Sequence, residues 1–280
     1  MTEKIKSHAK INLFLNILEK LPSKLHNIQT ASVLVDLCDE ISIKRVNATK
    51  DKIIFKGKFR NYIDKKNNSI MKTIRILREK KIIKDFYKII IKKNIPVFAG
   101  LGGGSSNAAY LIKYFYKKNL DKINLKIFKK AIGTDLLLFS KNQLFQKNLH
   151  QAITFRDKLN LYFVLVFPNI KCSTKKIYQI FDKTNNISKK RYNNRIKKKD
   201  IIRSFYEEGN NLERVVEDKY PNITKILNFL GLQKGCYFSR ITGSGSVCFG
   251  IFKAHKDADS ALKQTKLKFP KYWCAITKTI

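Results

Sequence analysis

The sequence predicts an α+β protein of two domains, and three observations carry that expectation. Its 280 residues, 44% of them hydrophobic, can bury more than one core. Segments with two-residue alternation or short apolar runs stand beside segments with helical spacing. Between one such strand and one such helix lies a glycine-rich turn, with four glycines in the five residues Gly100-Leu101-Gly102-Gly103-Gly104.

The first predicted strand is Ser7 to Ile17. Ala9, Ile11, Leu13, Leu15 and Ile17 share one face, and His8, Lys10, Asn12 and Asn16 share the other, which either lines a site or faces solvent, the pattern alone favouring solvent. Ser32 to Leu37 and Ile41 to Ile43 read as a pair of strands. Residues 44–68 are rich in lysine and asparagine around a short strand at Ile53 to Phe55. A helix over Ser69 to Lys81 and a strand over Phe86 to Ile91 lead to the glycine turn and its helix. A further helix over 121–132 ends at Gly133, and Leu161 to Phe167 is a buried strand stopped by Pro168. Lys183 to Asp200 is basic enough to be a solvated loop or an exposed helix. Helical spacing fills 201–230 with a break near Pro221, and the strand Val247 to Phe252 precedes a last helix and strand.

The net charge of +37 attracts phosphate backbones, yet the lysines run through the whole chain. That is a compositional bias rather than a patch, and no RNA-recognition or zinc-finger signature accompanies it. We expect salt-sensitive adhesion to RNA and no specific nucleic-acid partner. Cys38, Cys172, Cys236, Cys248 and Cys274 are scattered without a CxxC pair, as free thiols of a reducing cytosol would be. No apolar run is long enough for a bilayer and none follows the N-terminal residues as a secretion signal would. The expectation is a soluble cytoplasmic protein with no membrane partner, as a monomer or homodimer.

Chemistry concentrates in Pro96-Val97-Phe98-Ala99-Gly100-Leu101-Gly102-Gly103-Gly104-Ser105-Ser106. Glycine admits positive φ and close ligand approach, and a helix start offers unpaired amides at the positive end of its dipole. Together they cradle a nucleotide phosphate. No lysine follows the glycines, so this is not a Walker A loop, and the spacing fits neither the dinucleotide nor the protein-kinase glycine motif. A flexible linker would sit between polar stretches rather than between a strand and a helix.

Further segments extend the pattern: Ala9-Lys10-Ile11-Asn12-Leu13-Phe14-Leu15, His26 with Gln29-Thr30, Gly133-Thr134-Asp135, Asn211-Leu212-Glu213, and Arg240-Ile241-Thr242-Gly243-Ser244-Gly245. In this order, and over nearly the whole chain, they resemble the GHMP kinase superfamily. The resemblance implies a two-domain fold with an active site in the cleft between domains, residues 1–155 binding ATP and residues 156–280 contributing to substrate binding. It implies ATP and Mg²⁺ as cofactors, a cytidine diphosphate sugar-alcohol as substrate, and Lys10 and Asp135 as catalytic residues. ATP would lie on Pro96 to Ser106. Phosphoryl transfer needs positioning and charge neutralisation, and these residue types supply both. Asp135 can accept or align the proton of the attacking hydroxyl, and Lys10 can bind the reacting oxygens. Asn12 can orient the alcohol, and the hydroxyl of Ser105 or of Ser106 can ligate Mg²⁺. Gly243, Ser244 and Gly245 can bring amides to substrate phosphates, while His26 reads the base, Tyr178 can stack on it, and Thr174 belongs to the same substrate site.

The chain also departs from the family pattern. Lys24-Leu25 stands where Gly-Tyr is usual before the histidine, Leu136 and Leu137 follow the aspartate in place of Val-Pro, and a Gly-rich segment has become Phe145 to Ala152. Two other readings fit parts of this sequence: a GHMP kinase for another alcohol, and a non-catalytic nucleotide- or RNA-binding protein.

Overall fold

A computed structural model describes residues 1–155, 158–184, 187–188, 192 and 200–280. Two long strands open the chain, β1 (Thr2–Lys20) and β2 (His26–Val46), and they pair with each other. Each contributes to both of two compact units. The first unit holds Met1–Lys10, Asp36–Val97 and Gly102–Lys141; the second holds Ile11–Val35, Phe98–Leu101 and Asn142–Ile280. The chain therefore passes between units several times, where the sequence reading draws one boundary after residue 155.

In the first unit, the later part of β2 runs antiparallel to β4 (Phe86–Lys92), with Ile41 opposite Ile91 and Ile43 opposite Ile89. A parallel edge strand, β3 (Lys52–Lys56), pairs with β4 on its other side. Helix α1 (Ser69–Glu79) begins where Asn68 Oδ1 accepts the amides of Ile70 and Met71, each at 3.1 Å. Its Ile70, Thr73, Ile74 and Leu77 recur at helical spacing and are buried. It packs on α2 (Gly103–Tyr116) and α3 (Lys126–Ile132), and a 3₁₀ turn (Thr134–Phe139) follows.

The second unit has a four-stranded antiparallel sheet in the order β10-β7-β9-β8, formed by Trp273–Lys278, Tyr162–Phe167, Cys248–Phe252 and Cys236–Ile241. Helices α7 (Asn222–Gly231) and α8 (His255–Lys268) lie against it. Val164, Val166, Ile177, Phe181, Ile226, Leu230 and Phe252 form the core with β1 residues Leu15 and Ile17. The first part of β2 pairs with β5 (Gln143–Gln146), and β5 with β6 (Ala152–Thr154). Helices α4 (Thr174–Phe181), α5 (Ile201–Glu208) and α6 (Glu213–Lys219) complete the unit.

Three expectations need correction. The predicted pair of strands at 32–43 is one continuous strand, because no glycine or proline interrupts His26–Val46. The polar face of β1 is not solvated: Lys10, Asn12 and Asn16 are buried, their polar groups engaged inside the fold. The helix expected over 121–132 is a 3₁₀ turn at Leu120–Lys122 and then α3, with Asn124 Oδ1 accepting the Lys126 amide at 3.1 Å. Most of the basic stretch Lys183 to Asp200 (185–186, 189–191 and 193–199) lies outside the described residues. Among the described residues, no helix is long and apolar enough to cross a membrane.

Candidate active site

In the first unit, the predicted phosphate loop enters from β4 through buried Pro96 and half-buried Val97. Gly102 is the N-cap of α2 in the left-handed conformation, φ 68°. With no side chain there, Gly102 makes no side-chain cap to the first amides of α2, the arrangement that suits an anion. A Cβ on Gly102 would stand 3.0 Å from the Lys10 stem and from the Phe139 ring, so glycine is what lets loop and lysine approach. Gly103 is buried above Ile95 and the Lys93 ammonium, and exposed Gly104 accepts the Ser69 hydroxyl at 2.9 Å.

The two serines differ. Ser106 is fully buried; its hydroxyl donates to the His8 carbonyl at 2.6 Å and accepts from Ser7 Oγ at 2.7 Å. It fastens α2 to β1. Ser105 stays partly exposed at the helix start.

Lys10 is 3% exposed and its Nζ lies 4.0 Å from Asp135 Oδ2, whose side chain is 40% exposed. Burial pulls the Lys10 ammonium below its ordinary pKa, and the Asp135 charge opposes that pull. Asp135 projects from the first turn of the 3₁₀ segment, which Leu136, Leu138 and Phe139 anchor in the core. The Gly133 turn before it, φ 139°, sets the direction of that segment. The result is a desolvated cation facing a carboxylate that solvent and a substrate can reach.

Sequence reasoning missed the support of the loop. Asp39 is buried on β2 and holds Lys93 in an ion pair; its other oxygen accepts the amides of Asn94 at 2.8 Å and Ile95 at 2.9 Å. No local signal marks it, because Asp39 and Lys93 are far apart in the sequence.

In the second unit, Phe98 is exposed at φ 58°, while Ala99 and Leu101 are buried. A Cβ on Gly100 would fall 1.9 Å from the Thr242 carbonyl oxygen, a contact only glycine permits. Thr242 Oγ1 donates to the Gly100 carbonyl at 3.4 Å and accepts the Asn12 amide at 3.1 Å. The Asn12 side-chain amide donates to Thr30 Oγ1 at 2.9 Å. Four predicted residues, Gly100, Asn12, Gly243 and Gly245, thus gather around the Thr242 turn, whose Gly245 amide donates to the Thr242 carbonyl at 3.0 Å.

Two side chains hold that turn from α6 and its approach. Asn210 Nδ2 donates to the carbonyls of Ile241 at 3.1 Å and Gly243 at 2.9 Å. Glu213 Oε2 accepts the Ile241 amide at 2.7 Å. Burial pushes the Glu213 carboxyl up to about 7, with Arg240 pulling the other way. The Arg240 guanidinium, itself buried, donates to the carbonyls of Leu13, Phe205 and Tyr206.

Two of the remaining expected residues, Thr174 and Tyr178, sit on α4. Thr174, its first residue, bonds Ser244 Oγ at 3.0 Å and so joins the Thr242 turn. Tyr178, one turn later, lies against His26, the ring centroids 4.6 Å apart at 31°. His26 and Tyr178 therefore form one aromatic pair. Leu25, next to His26 in the chain, is exposed.

Among the described residues, no group of three or more His, Cys, Asp or Glu could hold a metal ion.

The profile described as GHMP kinases N terminal domain matches residues 68–135, and GHMP kinases C terminal matches 194–271. The 4-diphosphocytidyl-2-C-methyl-D-erythritol kinase of Pelagibacter ubique is 38% identical over 282 residues, covering 99% of both chains. The same-named protein of Thermodesulfovibrio yellowstonii is 32% identical over 290 residues, covering 98% of this chain and 97% of its own. Among solved structures, a 4-(cytidine 5'-diphospho)-2C-methyl-D-erythritol kinase superposes with TM-score 0.73 at 18% identity, over 99% of this chain and 100% of that one. Mevalonate kinase from L. major, in complex with R-mevalonate, gives TM-score 0.72 at 14% identity, over 100% and 96%.

Proposed function

This chain belongs to the GHMP kinases, and from that premise we propose that it transfers the γ-phosphoryl group of ATP to the 2-hydroxyl of 4-diphosphocytidyl-2-C-methyl-D-erythritol, a step of non-mevalonate isoprenoid biosynthesis. The observation that carries the chemistry is the buried Lys10 ammonium, 4.0 Å from an accessible Asp135 carboxylate and packed against Gly102 at the start of α2. The amides of Gly102 to Ser105 bind the ATP phosphates, the Ser106 amide being taken by the Gly102 carbonyl at 2.8 Å. The uncapped helix start and the positions where a Cβ would intrude fit that role.

Asp135 takes the proton of the attacking hydroxyl as its oxygen bonds the γ-phosphorus. The bond from that phosphorus to the β–γ bridging oxygen breaks, and ADP leaves with the electron pair. Lys10 stabilises the negative charge on the transferring oxygens, more strongly for being desolvated. Ser105 is the hydroxyl that fits Mg²⁺, since Ser106 is committed to Ser7 and His8. Mg²⁺ held there would neutralise phosphate charge. The Thr242 turn, Thr174 and Asn12 hold the substrate's diphosphate and alcohol, and His26 and Tyr178 hold the base.

A second reading, another alcohol as acceptor, is favoured by Leu25, exposed and next to His26 in the chain, where an aromatic residue would enclose a base. We assign the enzyme to the cytoplasm; its five cysteines are all free thiols.

ADP release from Mg-ATP and 4-diphosphocytidyl-2-C-methyl-D-erythritol tests the proposal. Substrate-dependent release that Asp135→Asn abolishes supports it. ATP binding without release supports the second reading, to be followed with other alcohols. No ATP binding defeats both.

A further inference from the structure

Asp182 caps the C-terminus of α4, four residues after Tyr178, so both side chains lie on one helix face. Its Oδ1 is 2.6 Å from His26 Nε2 and its Oδ2 is 2.6 Å from Lys20 Nζ. The His26 side chain is 9% exposed, Asp182 24% and Lys20 49%, so the acid is shielded and its histidine partner nearly buried. The hydrogen bond from Lys20, with that from His26 adding to it, holds the Asp182 carboxyl below its ordinary pKa despite partial burial. A carboxylate carries only acceptors, so Nε2 is the nitrogen that bears the proton. A neutral imidazole then has its lone pair on Nδ1. The Tyr178 ring on one side and the edge of Phe181, 6.4 Å away at 83°, further restrict how the imidazole can turn.

This fixes the hydrogen-bonding sense of the base-holding end of the proposed site. A lone pair on Nδ1 accepts from an exocyclic amine and is repelled by a carbonyl oxygen. Cytosine carries an amine at C4, where uracil carries a carbonyl. We propose that Asp182 is a positioning residue for base selection: by holding His26 in its Nε2–H form, it makes Nδ1 the acceptor that selects a cytidyl over a uridyl substrate. The inference deepens the reading of the previous section and rests on it. Lys20 supports the same arrangement by engaging the second Asp182 oxygen, which keeps the carboxylate ionised.

The test is steady-state kinetics of the full chain with Mg-ATP and either the diphosphocytidyl substrate or its diphosphouridyl counterpart. Asp182→Ala removes the contact. Asp182→Asn keeps the shape but offers either an oxygen or an NH₂ to Nε2, so it no longer fixes the tautomer. In both variants we expect KM for the cytidyl substrate to rise about tenfold, and the cytidyl-to-uridyl ratio of kcat/KM to fall about tenfold, as the loss of one charge-assisted buried hydrogen bond implies. KM for ATP stays as in the wild type, which separates the effect from misfolding. Nitrogen-15 spectra of histidine-labelled protein should show the Nε2–H form of His26 in the wild type and a mixture in Asp182→Asn. Variants that keep the wild-type ratio, or a wild-type His26 protonated on Nδ1 alone, overturn the role of Asp182 while leaving the kinase intact. A wild type that does not turn over the cytidyl substrate overturns the reading beneath it as well.

Discussion

Asp39 and Lys93 form an ion pair shut away from water, and the Lys93 ammonium lies where a side chain on Gly103 would come within 3.3 Å. The first glycine of α2 therefore rests on a charged group that Asp39 holds in place. A buried pair is costly to halve, because the surviving charge keeps its desolvation penalty and loses its compensation. Asp39→Ala should destabilise the protein by about 3–5 kcal/mol and weaken ATP binding with it. Asp39→Asn, which still accepts the Asn94 and Ile95 amides, should lose less. Urea unfolding with ATP titration on each variant measures both effects; unchanged ATP affinity in Asp39→Ala would show that the loop does not depend on this support.

The Lys10–Asp135 pair leads to a second expectation. Asp135→Asn keeps size and solvent access but cannot take a proton, so kcat should fall by about 10²–10⁴. ATP affinity should change little, because the amides of α2 remain. Lys10→Met should also lower kcat, and it should not unfold the protein: the stem beside Gly102 is replaced by an apolar one of similar length. Single-turnover rates and nucleotide titrations separate the two roles.

The serines at the helix start should behave in opposite ways. Ser106→Ala removes the bonds that its hydroxyl makes to Ser7 Oγ and the His8 carbonyl inside the protein, a loss of about 1–3 kcal/mol in stability. Ser105→Ala should leave the melting temperature nearly unchanged and raise the Mg²⁺ concentration needed for half-maximal rate. Thermal melts beside Mg²⁺ titrations of the rate distinguish them. If Ser106→Ala shifted only the Mg²⁺ requirement, the assignment of the two hydroxyls would be reversed.

This division between the serines shows where sequence reading stops. That a glycine-rich turn precedes a helix is written in residue types, because few side chains tolerate those dihedrals. Which of two adjacent serines faces inward depends on the register of α2 against β1, a tertiary fact with no local signature. Lys10 and Asn12 show the same limit from the other side. Strict alternation along β1 reads as one wet face, but here both faces are covered and the polar residues find partners inside. Gly133 before Asp135 and Gly243 after Thr242 mark both turns in the sequence, and the ordered set of motifs is what draws attention to Asp135. Asp39 and Asp182 were not legible, since each is an ordinary charged residue until a distant segment meets it. Strands β5 and β6 escaped notice because they are only 4 and 3 residues long, too short to establish a period.

Glu213 supplies the pH dependence. Its carboxyl is raised by burial to about 7 in the folded protein from an ordinary value of 4.5, because the cost of desolvation exceeds the pull of Arg240 and the hydrogen bond from the Ile241 amide. Glu217 adds a like charge that raises it further, and the Cys248 thiol lies within reach of the same field. The folded protein therefore holds a proton that the unfolded chain has already released between those two values. The native state binds more protons across that window, so this group's contribution to stability is complete below the lower value and is lost as pH rises through the upper one. The full loss is about 3 kcal/mol. Glu213→Gln accepts the same amide without ionising, so it lacks this dependence. The difference in unfolding free energy between Glu213→Gln and the wild type should grow in favour of the variant from pH 5 to pH 8, while contributions from all other groups cancel. Urea unfolding of both proteins across that range measures the difference directly. A flat difference would mean that Glu213 ionises in the native state as easily as in water, and that the Ile241 amide and Arg240 fully compensate its burial.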